Sequence, residues 1–327
     1  MANIRSPRSW RWRFWVPSSC GVRLAISATV ATHLTAPLLP PGDGFKIYPS
    51  LIKYRAVYPL NTAYRQMQDA DYLRQNQKAL AEARAAIPFK DIQAPFDVFP
   101  FEFGLAYASG LELATRPAFQ TYYATSRRMT EHNANFLASK KVPKSVLFSM
   151  IAVDNRYPAL EDPQTLRAYR RFYQVGRQTP DQLLLTRRTA PLRESQSCQP
   201  TFELGFGQTL TLPPLQDGSA LWARIAVEST WLGRLAGFLL GPPALGLSVV
   251  APNWQRDFRF LREAGESGFL LSPALVSTPA AARFLSGAAT VPEDHITSIK
   301  LPALISSFPR FDNTFDVTLC TLAWAPP

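Results

Sequence analysis

The chain is short of charge, of cysteine and of long apolar runs, and each shortage removes something. Charged residues make up only 18% of its 327 positions, yet aromatic residues reach 12% and hydrophobic residues 46%. A highly charged, solvated disordered chain is therefore excluded, and the apolar content suffices for two ordinary cores or one large one. The 3 cysteines, Cys20, Cys198 and Cys320, lie far apart and show no metal-ligand spacing. A fold built on disulfides is excluded. Three free thiols are the plain reading, and a single Cys198–Cys320 bridge stays open in an oxidising compartment. No metal and no cofactor is expected. G-x-S-x-G, H-E-x-x-H, the P-loop and G-x-G-x-x-G are all missing. Gly205 and Gly207, in E-L-G-F-G-Q, lack the third glycine of a dinucleotide loop. His33, His132 and His295 have no partner at ligand spacing, and the neighbours Glu131 and His132 cannot share one helix face.

Acid is also scarce. Lys and Arg number 35 against 24 Asp and Glu, a net charge of +11. Such a surface attracts an anionic glycan, an anionic lipid surface or an acidic envelope protein. Nucleic acid is disfavoured as a partner, because zinc-finger spacing, a basic-region helix and an RNP-like motif are absent.

What is present begins with residues 1–15, which hold 4 arginines, 3 tryptophans and no acid. The moderately apolar stretch 16–40 follows, interrupted by Arg23 and His33. Basic charge before an apolar run marks an inside-anchored segment or an export signal. The run between Arg23 and Pro37 is too short to span comfortably. Residues 1–44 thus read as a basic arm with a marginal membrane anchor or signal-like segment, and a loosely ordered basic arm is the remaining alternative.

Residues 45–190 read as an α/β domain. A helix is expected over 61–86, with Leu73, Leu80 and Ile87 recurring along one stripe and Pro88 closing it. F-D-V-F-P at 96–100 reads as a strand that Pro100 ends or places at an edge. Residues 125–139 read as a helix capped by Thr125 or Ser126. S-V-L-F-S-M-I-A-V at 145–153 is so apolar that it belongs in the middle of a sheet covered on both sides. A helix over 163–172 and a strand over 182–187 complete the part. This alternation argues for a small mixed or parallel sheet with helices.

The candidate site residues gather where these strands end. Ligands of open parallel sheets lie beyond the carboxyl ends of the strands. Asp154, Asn155 and Arg156 follow one strand, and Asp97 lies in another. Asp97, Glu102 and Asp154 are the candidate catalytic acids; Arg116, Gln120, Asn155 and Arg156 are the candidate ligand contacts. Glu161 and Asp162 paired with Asp97 would make a glycosidase-like set. The plainer reading makes Asp154 an ion-pair partner of Arg116 or Arg156 that pins a crossover. Pro117 and Pro158 restrict Arg116 and Tyr157 to extended backbone. On this reading R-P-A-F-Q-T-Y (116–122) and D-N-R-Y-P-A-L-E-D (154–162) pack together as corners.

From about 188 to 201 the character changes, and 189–200 reads as a linker. Residues 201–327 show short apolar runs between turns, the pattern of a β-sandwich-like domain. Residues 231–240, W-L-G-R-L-A-G-F-L-L, form an apolar insertion too short to cross a bilayer, suited to a short helix, a hairpin edge, or a patch touching lipid or a partner. A helix is expected over 278–287, between Pro279 and Gly287. Trp222, Trp231 and Trp254 are either core residues or sugar-stacking rings.

Together F-D-V-F-P (96–100), R-P-A-F-Q-T-Y (116–122), E-H-N-A-N-F-L (131–137), V-L-F-S-M-I-A-V-D-N-R-Y-P-A-L-E-D (146–162) and S-G-F-L-L-S-P (267–273) resemble a family. It is the C-terminal extracytoplasmic region of large uncharacterised bacterial membrane proteins, whose membrane part loosely resembles lipid-linked-sugar glycosyltransferases. The resemblance covers roughly residues 50–323. It implies a main part outside the cytoplasm and membrane-associated, in the cell envelope. The family has no established catalytic residues to carry over. This chain departs by lacking the many spanning helices; at most 16–40 stands in for the last one. The function expected is a non-catalytic envelope module that binds a glycan or a protein partner. The alternative is a carbohydrate-active enzyme, a glycoside hydrolase or glycosyl-transfer accessory, using the acids at the strand ends.

Overall fold

Four strands, two of them buried at every residue, set the first layer. The structure, a computed structural model, describes residues 70–216, 218–240, 245–302 and 310–327. The readings placed on 1–44, on Cys20 and His33, and on the start of the helix at 61 lie outside these residues. Helix α1 (Ala70–Ala85) carries the half-buried stripe Leu80, Ala83. Then come β1 (Phe96–Phe99), α2 (Phe103–Ser109), α3 (Arg127–Ala138), β2 (Ser145–Phe148), α4 (Pro163–Phe172), β3 (Tyr173–Gln178) and β4 (Leu183–Arg187). Their sheet runs β1-β2-β4-β3. β1 and β2 are parallel, joined by a helical crossover, whereas β4 lies antiparallel to both β2 and β3. The sheet is thus mixed. Pro100 ends β1, which is an edge strand, and β2 is buried along its whole length.

Two-residue periodicity divides the sheet between two faces. Phe96 and Val98 face a small cluster with Phe89, Ala106, Leu147 and Leu184. Phe99, Val146, Phe148, Leu183 and Leu185 face the main core, with Leu137 of α3 and Leu166 and Tyr169 of α4. Asp97 alternates with Val98 and so points the same way as Phe99, toward α3 and α4. The first helix of that pair starts at Ser126, whose side chain accepts the amide of Met129.

The chain then makes β5 (Arg193–Cys198), β6 (Phe202–Gly205), β7 (Thr209–Thr211), β8 (Ser219–Ala226), α5 (Trp231–Leu240), β9 (Leu245–Ala251), β10 (Trp254–Phe260), α6 (Arg262–Ser267), β11 (Phe269–Ser272), α7 (Thr278–Ser286), β12 (Ser298–Lys300) and β13 (Thr314–Ala325). They form two antiparallel sheets, β10-β9-β12-β7 and β11-β8-β13-β5, with β6 also paired to β13. The result is an α/β fold followed by a sheet-rich C-terminal region. α7 opens on the Ser277 cap and closes at Gly287, whose φ of 75° suits glycine.

Two expectations, the free linker and the three free thiols, need correction. Residues 189–200 are not a free linker: β5 occupies them and pairs with β13 along six residues. The main core also runs without a break from Phe99 through Tyr157 and Tyr169 to Phe269 and Leu322. Residues 74–327 accordingly form a single compact unit. Nor are the thiols all free. Cys198 and Cys320 face each other across β5 and β13 and are joined by a disulfide. The residue spacing could not show this, because 122 positions separate them.

Candidate functional site

The segment after α2 delivers Arg116 to the end of β1. Leu113 bridges to Phe96, with the Phe96 amide donating to Glu112 O and the Ala114 amide to Phe96 O. Arg116 then turns inward and is fully buried. Its Nε donates to Asp97 Oδ2 at 2.9 Å, and its Nη2 donates to the carbonyls of Val98 at 2.9 Å and Phe119 at 3.0 Å. The guanidinium lies over the Phe99 ring at 4.9 Å. The other Asp97 oxygen accepts the Val98 amide at 2.8 Å. One guanidinium therefore ties a carbonyl of β1, a carbonyl of its own loop, a carboxylate and a ring.

A second acid completes the cluster. Asp162 precedes Pro163 at the start of α4 in left-handed conformation, with φ of 55°. Its Oδ2 stands 3.7 Å from Arg116 Nη1 and accepts Asn133 Nδ2 at 2.7 Å. Asn133 also exchanges hydrogen bonds with the backbone of Ala118, its Oδ1 accepting the amide and its Nδ2 donating to the carbonyl. The helix expected over 125–139 includes Asn133, but its sequence did not show this clamp. A buried Asn flanked by Thr130 and Leu137 at helical spacing is the signal that was available.

Burial pushes the Asp162 carboxyl up to about 6, against the pull of Arg116. Burial likewise raises Asp97 despite Arg116 and the Val98 amide. On Arg116 burial works against the charge, but Asp97, Tyr169 and Asp162 outweigh it and hold the guanidinium above its ordinary value. Arg116 is thus a fixed cation, and the two acids share its charge.

The stretch after β2 makes a second, shallower cluster. Asp154 and Asn155 both have φ of 53° and form a turn closed by the Arg156 amide on Val153 O at 3.1 Å. Arg156 Nη1 donates to Tyr122 O at 3.1 Å and stands 3.6 Å from Glu161 Oε1. Glu161 Oε2 accepts the Thr121 hydroxyl at 3.1 Å, and its Oε1 accepts the Val153 amide at 3.3 Å. Burial raises the Glu161 carboxyl, opposed by Arg156. The two stretches 116–122 and 154–162 therefore do pack together, joined through Thr121, Tyr122, Arg156 and Glu161. Tyr157 is buried and donates its hydroxyl to Leu271 O at 2.8 Å. Asn155 Nδ2 donates to Asp257 O at 2.9 Å, so this loop also fastens β10.

Of the two partners expected for Asp154, Arg156 is taken and Arg116 is not. Asp154 is 61% exposed and sits 3.6 Å from Arg156 and 3.4 Å from Arg259. Its left-handed turn throws the carboxylate outward, and Asp97 already fills the place beside Arg116. Of the other candidates, Gln120 is half-buried at the start of a 3-10 turn (Thr121–Tyr123), and Glu102 is half-buried at the start of α2. His132 is exposed on α3, and Gly207, with φ of 83°, lies in the turn after β6. Trp222 is core, whereas Trp231 is exposed.

The feature that sequence reasoning missed is a rim of rings around these loops. Phe103, Tyr107 and Tyr123 are 50%, 62% and 63% exposed. Phe103 stacks with Tyr107 at 6.5 Å and meets Phe119 edge-on at 5.3 Å. Tyr122 and Tyr123 lie 4.6 Å apart, and Tyr122 meets Phe101 at 5.7 Å. Spacing alone reads such residues as core. A separate groove of about 650 Å³ is lined by Gln178, Thr179, Leu183, Pro279 and Arg283, and that arginine is already held bidentately by Asp294. Among the described residues no cluster of three His, Cys, Asp or Glu could hold a metal, and no helix is long and apolar enough to cross a membrane.

No protein-family model matches the chain, and no curated protein matches it. Among solved structures it is similar to the major capsid protein P2 from bacteriophage PM2, at 8% identity and a TM-score of 0.23. The match covers 44% of this chain and spans about half, 49%, of that chain. A score that small does not amount to a shared fold.

Proposed function

We propose that the protein is a non-catalytic module of the cell envelope that binds a glycan on its aromatic rim. The observation that carries this reading is the exposure of Phe103, Tyr107 and Tyr123 beside the strand ends of the first sheet. Large rings left in water on a folded protein mark a contact surface. Tyrosine offers a flat apolar face to a sugar ring and a hydroxyl to its oxygens. The Cys198–Cys320 disulfide and the basic, tryptophan-rich residues 1–15 support an extracytoplasmic, membrane-associated setting.

The acids speak against the enzymatic alternative. A glycosidase pair needs two carboxyl groups about 5–10 Å apart flanking an open cleft. Asp97, Glu161 and Asp162 are sealed from solvent and engaged with Arg116, Arg156, Thr121 and Asn133. Of the acids named for catalysis, that leaves Glu102 and Asp154 accessible.

Calorimetric titration of the full chain with soluble cell-wall oligosaccharides, neutral and uronic-acid-bearing, tests the proposal. Binding that weakens at least about tenfold in Tyr107→Ala and Tyr123→Ala, with unchanged melting, is the expected result. Binding that survives both substitutions, or none with any oligosaccharide, would reject the glycan reading. A protein captured through the same rings would replace it by a protein-docking one.

A further inference from the structure

In helix α5 (Trp231–Leu240), Trp231, Arg234 and Leu235 are left exposed. Its inner side is set by Gly233, which is buried against the backbone of Arg310. A Cβ there would come within 1.8 Å of Arg310 O, so only glycine permits the approach. The Thr230 amide donates to that same carbonyl at 3.2 Å, and the Gly233 amide donates to Thr230 Oγ1 at 2.9 Å. At about 100° per residue, Gly233 lies about 200° round the helix from Trp231. Trp231 and Leu235 stand about 40° apart on the outer side, 68% and 52% exposed. Arg234, also exposed, adjoins them. The helix contains no acid.

We infer that this outer side of α5 lies on an anionic phospholipid surface, with Trp231 at the headgroup level, Leu235 in the acyl boundary and Arg234 on the phosphates. Three observations favour lipid over a protein groove. Tryptophan, leucine and arginine without acid is the composition of an interfacial helix. The helix has ten residues, about 15 Å, so it can lie along a bilayer but cannot cross one. The chain carries a net charge of +11, complementary to anionic headgroups. Residues 1–15 repeat the same chemistry, with 4 arginines, 3 tryptophans and no acid. One such segment binds marginally, whereas two on one chain reinforce each other. This contact is separate from the aromatic rim and does not depend on glycan binding.

Co-sedimentation of the full chain with vesicles provides the test, using phosphatidylcholine alone and phosphatidylcholine mixed with phosphatidylglycerol. Wild-type protein is expected to favour the anionic vesicles. The double variant Trp231→Ser, Leu235→Ser should partition about tenfold less at unchanged melting temperature, because both side chains are exposed. Brominated acyl chains should quench an emission component that is missing from Trp231→Phe. Equal partition of the double variant, or quenching identical in Trp231→Phe, overturns the inference. So does self-association in solution that depends on Trp231, which would give this side of α5 to a second copy of the chain.

Discussion

The loops after α2 and after β2 look alike as sequence, each with an arginine, a proline, aromatics and polar groups, yet they meet opposite fates. Arg116 goes into the core and is fixed by Asp97, with Asp162 beside it. Arg156 stays at the margin between buried Glu161 and exposed Asp154. The backbone makes the difference. Arg116 is carried past the β1 end by a bridge that extends the sheet edge, and Pro117 keeps it extended. Arg156 follows two left-handed residues, which turn the chain outward before it returns through Tyr157. A strand-end position therefore does not by itself expose a residue; the direction in which the loop leaves the strand decides.

The largest test of this contrast is removal of Arg116. Arg116→Ala leaves Asp97 and Asp162 buried without a cation, and a loss on the order of 3–5 kcal/mol is expected in denaturant melts at neutral pH. The deficit should shrink as pH falls, because both acids can then take up protons. A sub-kcal effect at neutral pH would show that the cluster is not sealed.

The next test is the pH dependence of the wild type. Asp162 has a folded value of about 6, above its ordinary 3.8. Between those values the folded state holds more protons than the unfolded one, so stability falls as pH rises. The contribution is complete below about 3.8 and lost above about 6, on the order of 2–3 kcal/mol. Asp97 and Glu161 are shifted in the same direction and add to the slope. Urea midpoints from pH 4 to 7 should show this fall, and Asp162→Asn should flatten it. An unchanged slope in the variant would remove Asp162 from the account.

The smallest effect belongs to the outer loop. Asp154→Ala should cost under about 1 kcal/mol, since its two arginine contacts are solvent-screened. If it costs as much as Arg116→Ala, the contrast between the loops fails.

Much of the framework was legible without coordinates. β1, α4, β4 and α7 fall close to where periodicity, proline punctuation and capping residues placed them, whereas β2 starts at Ser145 as expected but ends at Phe148, well short of Val153. The meeting of 116–122 with 154–162 was legible too, because Pro117 and Pro158 make both stretches restricted corners carrying complementary polar groups. β3 was not: Tyr173–Gln178 continues directly from α4 with mostly exposed polar residues, so no alternating pattern announced a strand. β5 was hidden for the same reason, as Arg193–Cys198 is nearly all exposed and owes its form to pairing with β13.

By itself, then, the sequence determined the local elements and the restricted corners, since helix periods, strand alternation and proline or glycine backbones depend on residues a few positions apart. Tertiary structure alone decided which partners meet. Arg116 chose Asp97 over Asp154, Cys198 found Cys320, and Trp222 was buried while Trp231 was left outside. Ion pairs, disulfides and burial depend on distances between chain segments that only the packing of three sheets around one core brings within reach.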